Sequence, residues 1–262
     1  MGGGDLSMLL ADIAILHGCA PESLQEIALD CHLTQIQKGG LLYDAGEKPR
    51  AFHQILSGGI KIAIGSPQGG EKVIEVVTAG GHCGLSELFA DGAHLCYAEA
   101  IEASLVLCVK KDVLLRAAQR DAQLALQLLA AVARRQCAIE RDIADSHLLP
   151  GGRRLTDYLL RLPGTVNALG ERLVELPIPK SLLAALLGLT PETLSRTLRE
   201  LSTGGLIRVN GRQVSLLPKL VGRLPADRAD AKRSIRLPAQ DGGRNEPPQT
   251  PRRARGGARS TA

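Results

Sequence analysis

Tryptophan is absent from this 262-residue chain, which holds only two Phe and three Tyr. So few rings cannot furnish a groove that stacks successive bases, which argues against single-strand nucleic-acid binding of that kind. The six cysteines, Cys19, Cys31, Cys83, Cys96, Cys108 and Cys137, form no C-x-x-C pair and no zinc-ligand spacing. That pattern suits reduced thiols in the cytoplasm. The opening MGGGDLSMLLADIAIL lacks a basic n-region, and no apolar run reaches membrane-spanning length. The expectation is a cytoplasmic chain with no membrane partner. A net basic excess is also lacking in the body. Residues 219–262 carry 11 Lys/Arg against 4 Asp/Glu, a balance of +7, which leaves the other 218 residues at −2 of the net +5. The pI of about 9.0 therefore describes a tail more than a folded surface.

Hydrophobic residues make up 44% of the sequence, enough to build one large or two small cores. Residues near 8 to 32 read as one or two short helices, with Pro21 opening the second. From about Leu33 to Val109 short β-type runs alternate with glycine turns such as Lys38-Gly39-Gly40, Ser57-Gly58-Gly59, Pro67-Gln68-Gly69-Gly70 and Ala79-Gly80-Gly81. Even spacing of short strands predicts an antiparallel sandwich or jelly roll. Asp112 opens a helix, and Asp121 caps a longer one running to about Leu148. Leu124, Leu128, Val132, Ile139 and Ile143 form its apolar seam. A helix of roughly 27 residues exceeds ordinary globular length and calls for a partner, so this seam is expected to join two copies. Leu148-Pro150-Gly151-Gly152 breaks it as a hinge, and Arg153 to Leu162 begins a further domain. Beyond Leu224, enrichment in Pro, Gly, Arg, Asp and Ser predicts a disordered basic tail.

The segment Lys180 to Leu217, KSLLAALLGLTPETLSRTLRELSTGGLIRVNGRQVSLL, carries the most function. Leu182, Leu183, Ala185, Leu186 and Leu187 give a short apolar helix, and Gly188 suits a tight turn with positive φ. Thr190 is placed to cap the next helix and Pro191 fits its first position. Leu194, Leu198 and Leu201 recur as a buried stripe, opposite Glu192, Ser195, Arg196 and Arg199. Gly204-Gly205 ends the helix. Ile207 and Val209, then Val214 and Leu216, form a hairpin around Asn210-Gly211, a type I′ turn signal. This is the pattern of a winged helix-turn-helix that reads double-stranded DNA. The candidate contacts are Thr190, Glu192, Thr193, Ser195, Arg196 and Arg199 on the second helix and Arg212 on the wing.

The order of β-roll, long helix and winged helix-turn-helix resembles the Crp/Fnr superfamily of bacterial transcription regulators over about residues 9 to 220. The implied fold is α+β: a sensor β-roll domain with N-terminal helices over 9–110, a dimerisation helical region over 112–148, a DNA-binding domain over 153–220, and a tail over 225–262. The E-x-x-S-R pattern at Glu192, Ser195 and Arg196 is similar to the Fnr branch, where the cyclic-AMP receptor branch has glycine in the serine slot. The resemblance implies that Glu192 and Arg196 read a G·C pair, that Ser195 favours a TTGAT-like half-site, and that the partners are DNA, a second copy and RNA polymerase. An Arg fork on guanine and a Glu accepting from cytosine are chemically suited to that pair. Within the branch, AFHQILSGGIKIAIGSPQGGEKVIEVV looks most like the DNR-type nitric-oxide-responsive regulators.

Departures from the family bear on the effector. Leu85 follows Gly84 where the cyclic-AMP receptors carry a ribose-binding Glu, and Cys96-Tyr97 replaces their phosphate-binding Arg and its hydroxyl neighbour. Lacking that cation, cyclic AMP is disfavoured. Only Cys19 and Cys31 lie near the N-terminus, so the four-Cys iron–sulfur arrangement of Fnr is incomplete. Haem remains a candidate through the DNR likeness, with His17, His32, His53, His82, His94 and His147 as undifferentiated ligands; no metal site is assigned. The expected function is a homodimeric regulator answering a redox or gas signal. The alternatives are a cyclic-nucleotide-responsive regulator and, more remotely, a thiol-based redox enzyme.

Overall fold

The structure, a computed structural model, describes residues 3–66, 70–90 and 92–221; the basic tail expected over 225–262 and most of the Pro67–Gly70 turn lie outside the described residues. Two short helices, α1 (Gly3–Ala11) and α2 (Pro21–Asp30), precede eight strands: β1 (Cys31–Ile36), β2 (Leu41–Tyr43), β3 (Ala51–Ser57), β4 (Gly59–Gly65), β5 (Glu71–Thr78), β6 (His82–Cys83), β7 (Tyr97–Ala100) and β8 (Ser104–Lys110), with a one-turn helix α3 (Leu85–Phe89) before β7. They form two antiparallel sheets, ordered β1-β8-β3-β6 and β2-β7-β4-β5, the jelly-roll arrangement that the strand spacing predicts.

The sequence of β8, Ser-Leu-Val-Leu-Cys-Val-Lys, shows little alternation because both of its faces are covered. Val106 and Cys108 point into the sandwich with Ile36, Ile55, Ile60 and Ile62. Leu107 and Val109 point the other way, into a core shared with Phe52, Leu10, Leu16, Ile27 and Leu85. The register agrees, since Phe52 faces Val109 and Ile55 faces Val106 across β3 and β8. Alternation along a strand sends each residue set to its own layer.

The outer layer also receives α4 (Lys111–Arg120) and the first half of α5 (Ala122–Leu148). Asp121 caps α5 by accepting from Leu124 N at 3.1 Å and fastens the N-terminal segment by accepting from Ala20 N at 2.8 Å. Here the expected two-chain seam needs correction. Leu124 and Leu128 are buried at 0% and 3% exposure in the chain's own sensor core, and Val132 packs against the same core. The last two residues of the seam are not covered in this way: Ile139 is half-buried and Ile143 is 55% exposed, and both border a cavity beside β5. The helix carries a second apolar stripe on its opposite side, at Leu126 and Leu129 with Ala133 and Cys137, and that one is exposed. Apolar spacing finds the stripes; only the tertiary structure says which is already covered.

The C-terminal unit is built from α6 (Gly151–Arg161), β9 (Gly164–Val166), β10 (Arg172–Glu175), α7 (Lys180–Leu186), α8 (Pro191–Thr203), β11 (Ile207–Asn210), β12 (Gln213–Leu216) and α9 (Pro218–Val221), with sheet order β11-β12-β10-β9. Gly151 and Gly152, expected to belong to a hinge, instead start α6 behind Pro150. A Cβ on Gly151 would lie 2.7 Å from Leu189 Cδ2, so a larger residue there would push the end of that side chain aside. The connector is Leu149-Pro150 alone. The unit also rests on the sensor: Val76 of β5 and Ile101 pack against its core, and Arg161 pairs with Asp145 of α5 at 2.9 Å.

Candidate nucleic-acid interface

Helix α7 stops where Gly188, at φ 62°, turns the chain through a conformation that costs other residues energy. Thr190 then caps α8, its hydroxyl accepting from Thr193 N at 3.2 Å, and Pro191 occupies the first helical position. Leu194 and Leu198 are buried at 1% and 6%, and Leu201 is half-buried. Thr197, which the sequence did not single out, is also buried, its hydroxyl donating to Thr193 O at 2.9 Å. Anchored on that side, α8 leaves Glu192, Ser195, Arg196, Arg199 and Glu200 exposed and Thr193 half-exposed.

Helix-end hydrogen bonding from its own backbone N–H and from the Thr190 hydroxyl holds the Glu192 carboxyl below its usual range, so it is an acceptor at neutral pH. Arg196 has Glu200 at 4.0 Å as its ion-pair neighbour, both largely exposed. Such a pair restrains an arginine weakly, leaving its fork available to a guanine edge.

The wing differs from expectation by one residue. Asn210 pairs with Gln213, so the two-residue turn is Gly211-Arg212, with Gly211 at φ 60°. A Gly-X order suits a mirror-image turn whose first residue needs positive φ, in place of the Asn-Gly type I′ turn. Arg212 is exposed at this tip, with Nε donating to Leu176 O at 3.0 Å, so the tip is tied to the segment after β10.

Inside the sensor, the replaced effector positions fall in different places. Leu85 is buried in the helical core, at 2% exposure. Tyr97 lies on the sheet face opposite Ala98 and Ala100, where its hydroxyl bonds Glu71 and its ring lies 5.3 Å from Lys61 Nζ. Lys61 in turn pairs with Glu71 at 2.7 Å and Glu99 at 3.3 Å. Cys96 is half-buried. Of the six histidines, His53 and His94 are buried together around Tyr43, whose ring stacks on His94 at 3.9 Å and tilts against His53 at 5.7 Å. His82 is half-buried against Phe52, whereas His17, His32 and His147 are exposed. Among the described residues, Tyr43 Oη, His53 Nδ1, His82 Nδ1, His94 Nδ1 and one Glu87 carboxylate oxygen are buried without hydrogen-bond partners. Arg135, reaching in from α5, pairs with Glu75 at 3.2 Å. Neither Tyr43, Glu87 nor Arg135 sat in a motif that singled it out.

The five thiols of Cys19, Cys31, Cys83, Cys96 and Cys108 are held in their protonated form. Burial pushes Cys83 up to about 12, aided by the charge of Glu75, and burial with Asp121 pushes Cys19 up to about 11. Cys31, Cys96 and Cys108 are raised mainly by burial as well. A thiol so shifted is a poor nucleophile. Among the described residues no cluster of His, Cys, Asp and Glu has metal-binding geometry, and no helix is long and apolar enough to cross a membrane.

Comparison with known proteins agrees with this anatomy. Residues 33–121 match the cyclic nucleotide-binding domain and residues 153–219 the Crp-like helix-turn-helix domain. The chain is 30% identical over 186 residues to the probable transcriptional regulator flp of Lacticaseibacillus casei, covering 71% of this chain and 83% of that one. It is 27% identical over 223 residues to the fumarate and nitrate reduction regulatory protein of Vibrio cholerae, covering 82% and 88%. Among solved structures, FixK2 from Bradyrhizobium japonicum superposes with a TM-score of 0.64 at 26% identity, over 75% of this chain and 98% of that one. The sensor β-roll, the capped and exposed α8 with its wing, and these relatives together make the chain a member of the Crp/Fnr family of DNA-binding transcription regulators.

Proposed function

We propose that this regulator acts as a homodimer of the Fnr branch that reads a TTGAT-like palindrome in response to a redox or gas signal. The observation that carries the reading is the exposed α8 face, which presents Glu192, Ser195 and Arg196 side by side on a helix capped by Thr190. Arg196 donates to guanine O6 and N7, Glu192 accepts from the paired cytosine, and Arg199 with Arg212 supplies phosphate attraction. Thr190 and Thr193 orient the helix start. A palindrome requires two readers about one turn of DNA apart, roughly 34 Å. The exposed stripe of α5 at Leu126, Leu129, Ala133 and Cys137 is where the second copy docks in this reading. RNA polymerase is the partner on the promoter. The DNR-like texture of β4 and β5 supports the gas signal within the branch.

His53 and His94 are buried inside the sensor, and the Tyr43 ring is stacked on His94. One observation favours the cyclic-nucleotide alternative: Arg135 brings a guanidinium to the sensor interior. Its pairing with Glu75 weighs against that role.

The test is Arg196→Ala in operator binding. The expected loss is about 1–3 kcal/mol per half-site, confined to specific DNA. An unchanged ratio of specific to nonspecific affinity would remove α8 as the reading helix.

A further inference from the structure

A cavity of about 480 Å³ lies between β5, the last turns of α5, and helices α6 and α7. Its volume falls in the range of small-molecule sites, roughly 300–1,000 Å³. The walls are apolar where Val76, Ile139, Ile143, Tyr158, Leu186 and Leu187 meet. One end is not. Lys72 of β5 brings its Nζ to 3.6 Å from where a Cβ would stand on Gly188. Arg154 of α6 reaches the same turn, donating through Nη2 to Gly188 O at 3.4 Å and through Nη1 to Ser146 O at 2.9 Å. Its Nε is buried with no acceptor among the described residues.

The carboxylates facing the cavity are matched elsewhere. Asp145 and Asp142 share Arg161, at 2.9 and 3.9 Å, and Glu75 has Arg135 at 3.2 Å. Two cations from different parts of the chain therefore converge on Gly188 with no carboxylate within 4.0 Å among the described residues, Asp142 being near enough to Lys72 only to feel its charge. An anion there would gain charge-assisted hydrogen bonds and supply the acceptor that Arg154 Nε lacks.

We infer that this cavity binds a small amphipathic anion, a carboxylate or sulfonate on an aromatic or branched aliphatic body. Its charge sits between Lys72 and Arg154, and its body lies on Tyr158, Ile139, Leu186 and Leu187. The site joins a sensor strand to two helices of the DNA-binding unit, so an occupant ties the two together. It depends neither on the operator sequence nor on the dimer.

The probe is anilinonaphthalene sulfonate, an aromatic anion that fluoresces in apolar surroundings, titrated into the full-length protein beside its uncharged analogue phenylnaphthylamine. One saturable site per chain is expected, with the sulfonate bound about tenfold or more tightly than the neutral dye. Lys72→Gln, a change at an exposed side chain, should weaken the sulfonate by about tenfold and leave the neutral dye unaffected. Arg154→Gln should act likewise, although it also removes two bonds to backbone carbonyls, so Lys72→Gln decides. Equal affinity for the two dyes, or sulfonate affinity within about twofold of the parent in Lys72→Gln, overturns the assignment. Sulfonate fluorescence that survives Lys72→Gln and vanishes in Leu129→Glu would place the dye on the exposed α5 stripe and overturn it equally.

Discussion

Adjacent leucines on α5 should fail in opposite ways. Leu128 is 3% exposed and belongs to the sensor core, whereas Leu129 is 63% exposed on the outward stripe. Leu128→Ala removes buried methyl groups and leaves a cavity, which costs roughly 2–5 kcal/mol of folding stability. Leu129→Ala alters the isolated chain by no more than about 0.5 kcal/mol, as surface changes do. Its effect appears on association. Burying the exposed two-thirds of a leucine contributes roughly 1–2 kcal/mol per chain, and a two-fold interface doubles this to about 2–4 kcal/mol, or roughly 30- to 700-fold in Kd. Leu129→Glu adds an unpaired charge to the contact and should sediment as monomer across the micromolar range. Sedimentation equilibrium paired with urea unfolding separates the two effects. A full-strength dimer from Leu129→Glu, or weakened association with intact folding stability in Leu128→Ala, would refute the division of α5 into an inward and an outward face.

Three further outcomes are expected. Burial, with the like charges of His94 and His32, holds His53 down at about 4, so the unfolded chain binds a proton first as pH falls through the ordinary histidine value of 6.5. Stability should then drop by up to about 3 kcal/mol between these values, full above the upper and lost by the lower; urea midpoints for the parent and His53→Asn must converge as pH falls, and parallel curves would contradict this. Thr190→Ala should cost the DNA-binding unit about 1 kcal/mol through the lost cap of α8, read as a lower melting temperature, with no change expected in sensor hydrogen exchange. Calorimetry with cyclic AMP should register no binding, because Leu85 is buried in the core and Arg135 is already paired; micromolar affinity would mean that Arg135 leaves Glu75 for the phosphate.

Where the sequence was legible, the determinant was local. Gly188, Thr190 and Pro191 declare a turn, a cap and a first helical residue within four positions, and the structure contains all three. Asp121 announces the start of α5 for the same reason. The paired glycines at 151 and 152 misled, since a glycine pair marks a break only where the neighbouring residues do not continue a helix, and here they form the first turn of α6 behind Pro150. The wing turn slipped by one residue because Asn210-Gly211 and Gly211-Arg212 both satisfy a two-residue loop until the register of Gln213 fixes one. Arg135 and the Tyr43–His94 stack were invisible because their partners lie far away along the chain.

Short as it is, the Leu149-Pro150 link limits how the DNA-binding unit can move. Pro150 has its φ locked by its ring, near −58°, and Leu149 is extended at φ −109° and ψ 136°. A longer tether would let the unit explore a volume; this one allows swivelling about very few bonds. A perturbation that turned the end of α5 would reach α8 as a change of angle, with little of it absorbed in between. Lengthening the link by a few glycines would turn a steering arm into a leash, and the two readers of a dimer would then meet their half-sites as independent binders.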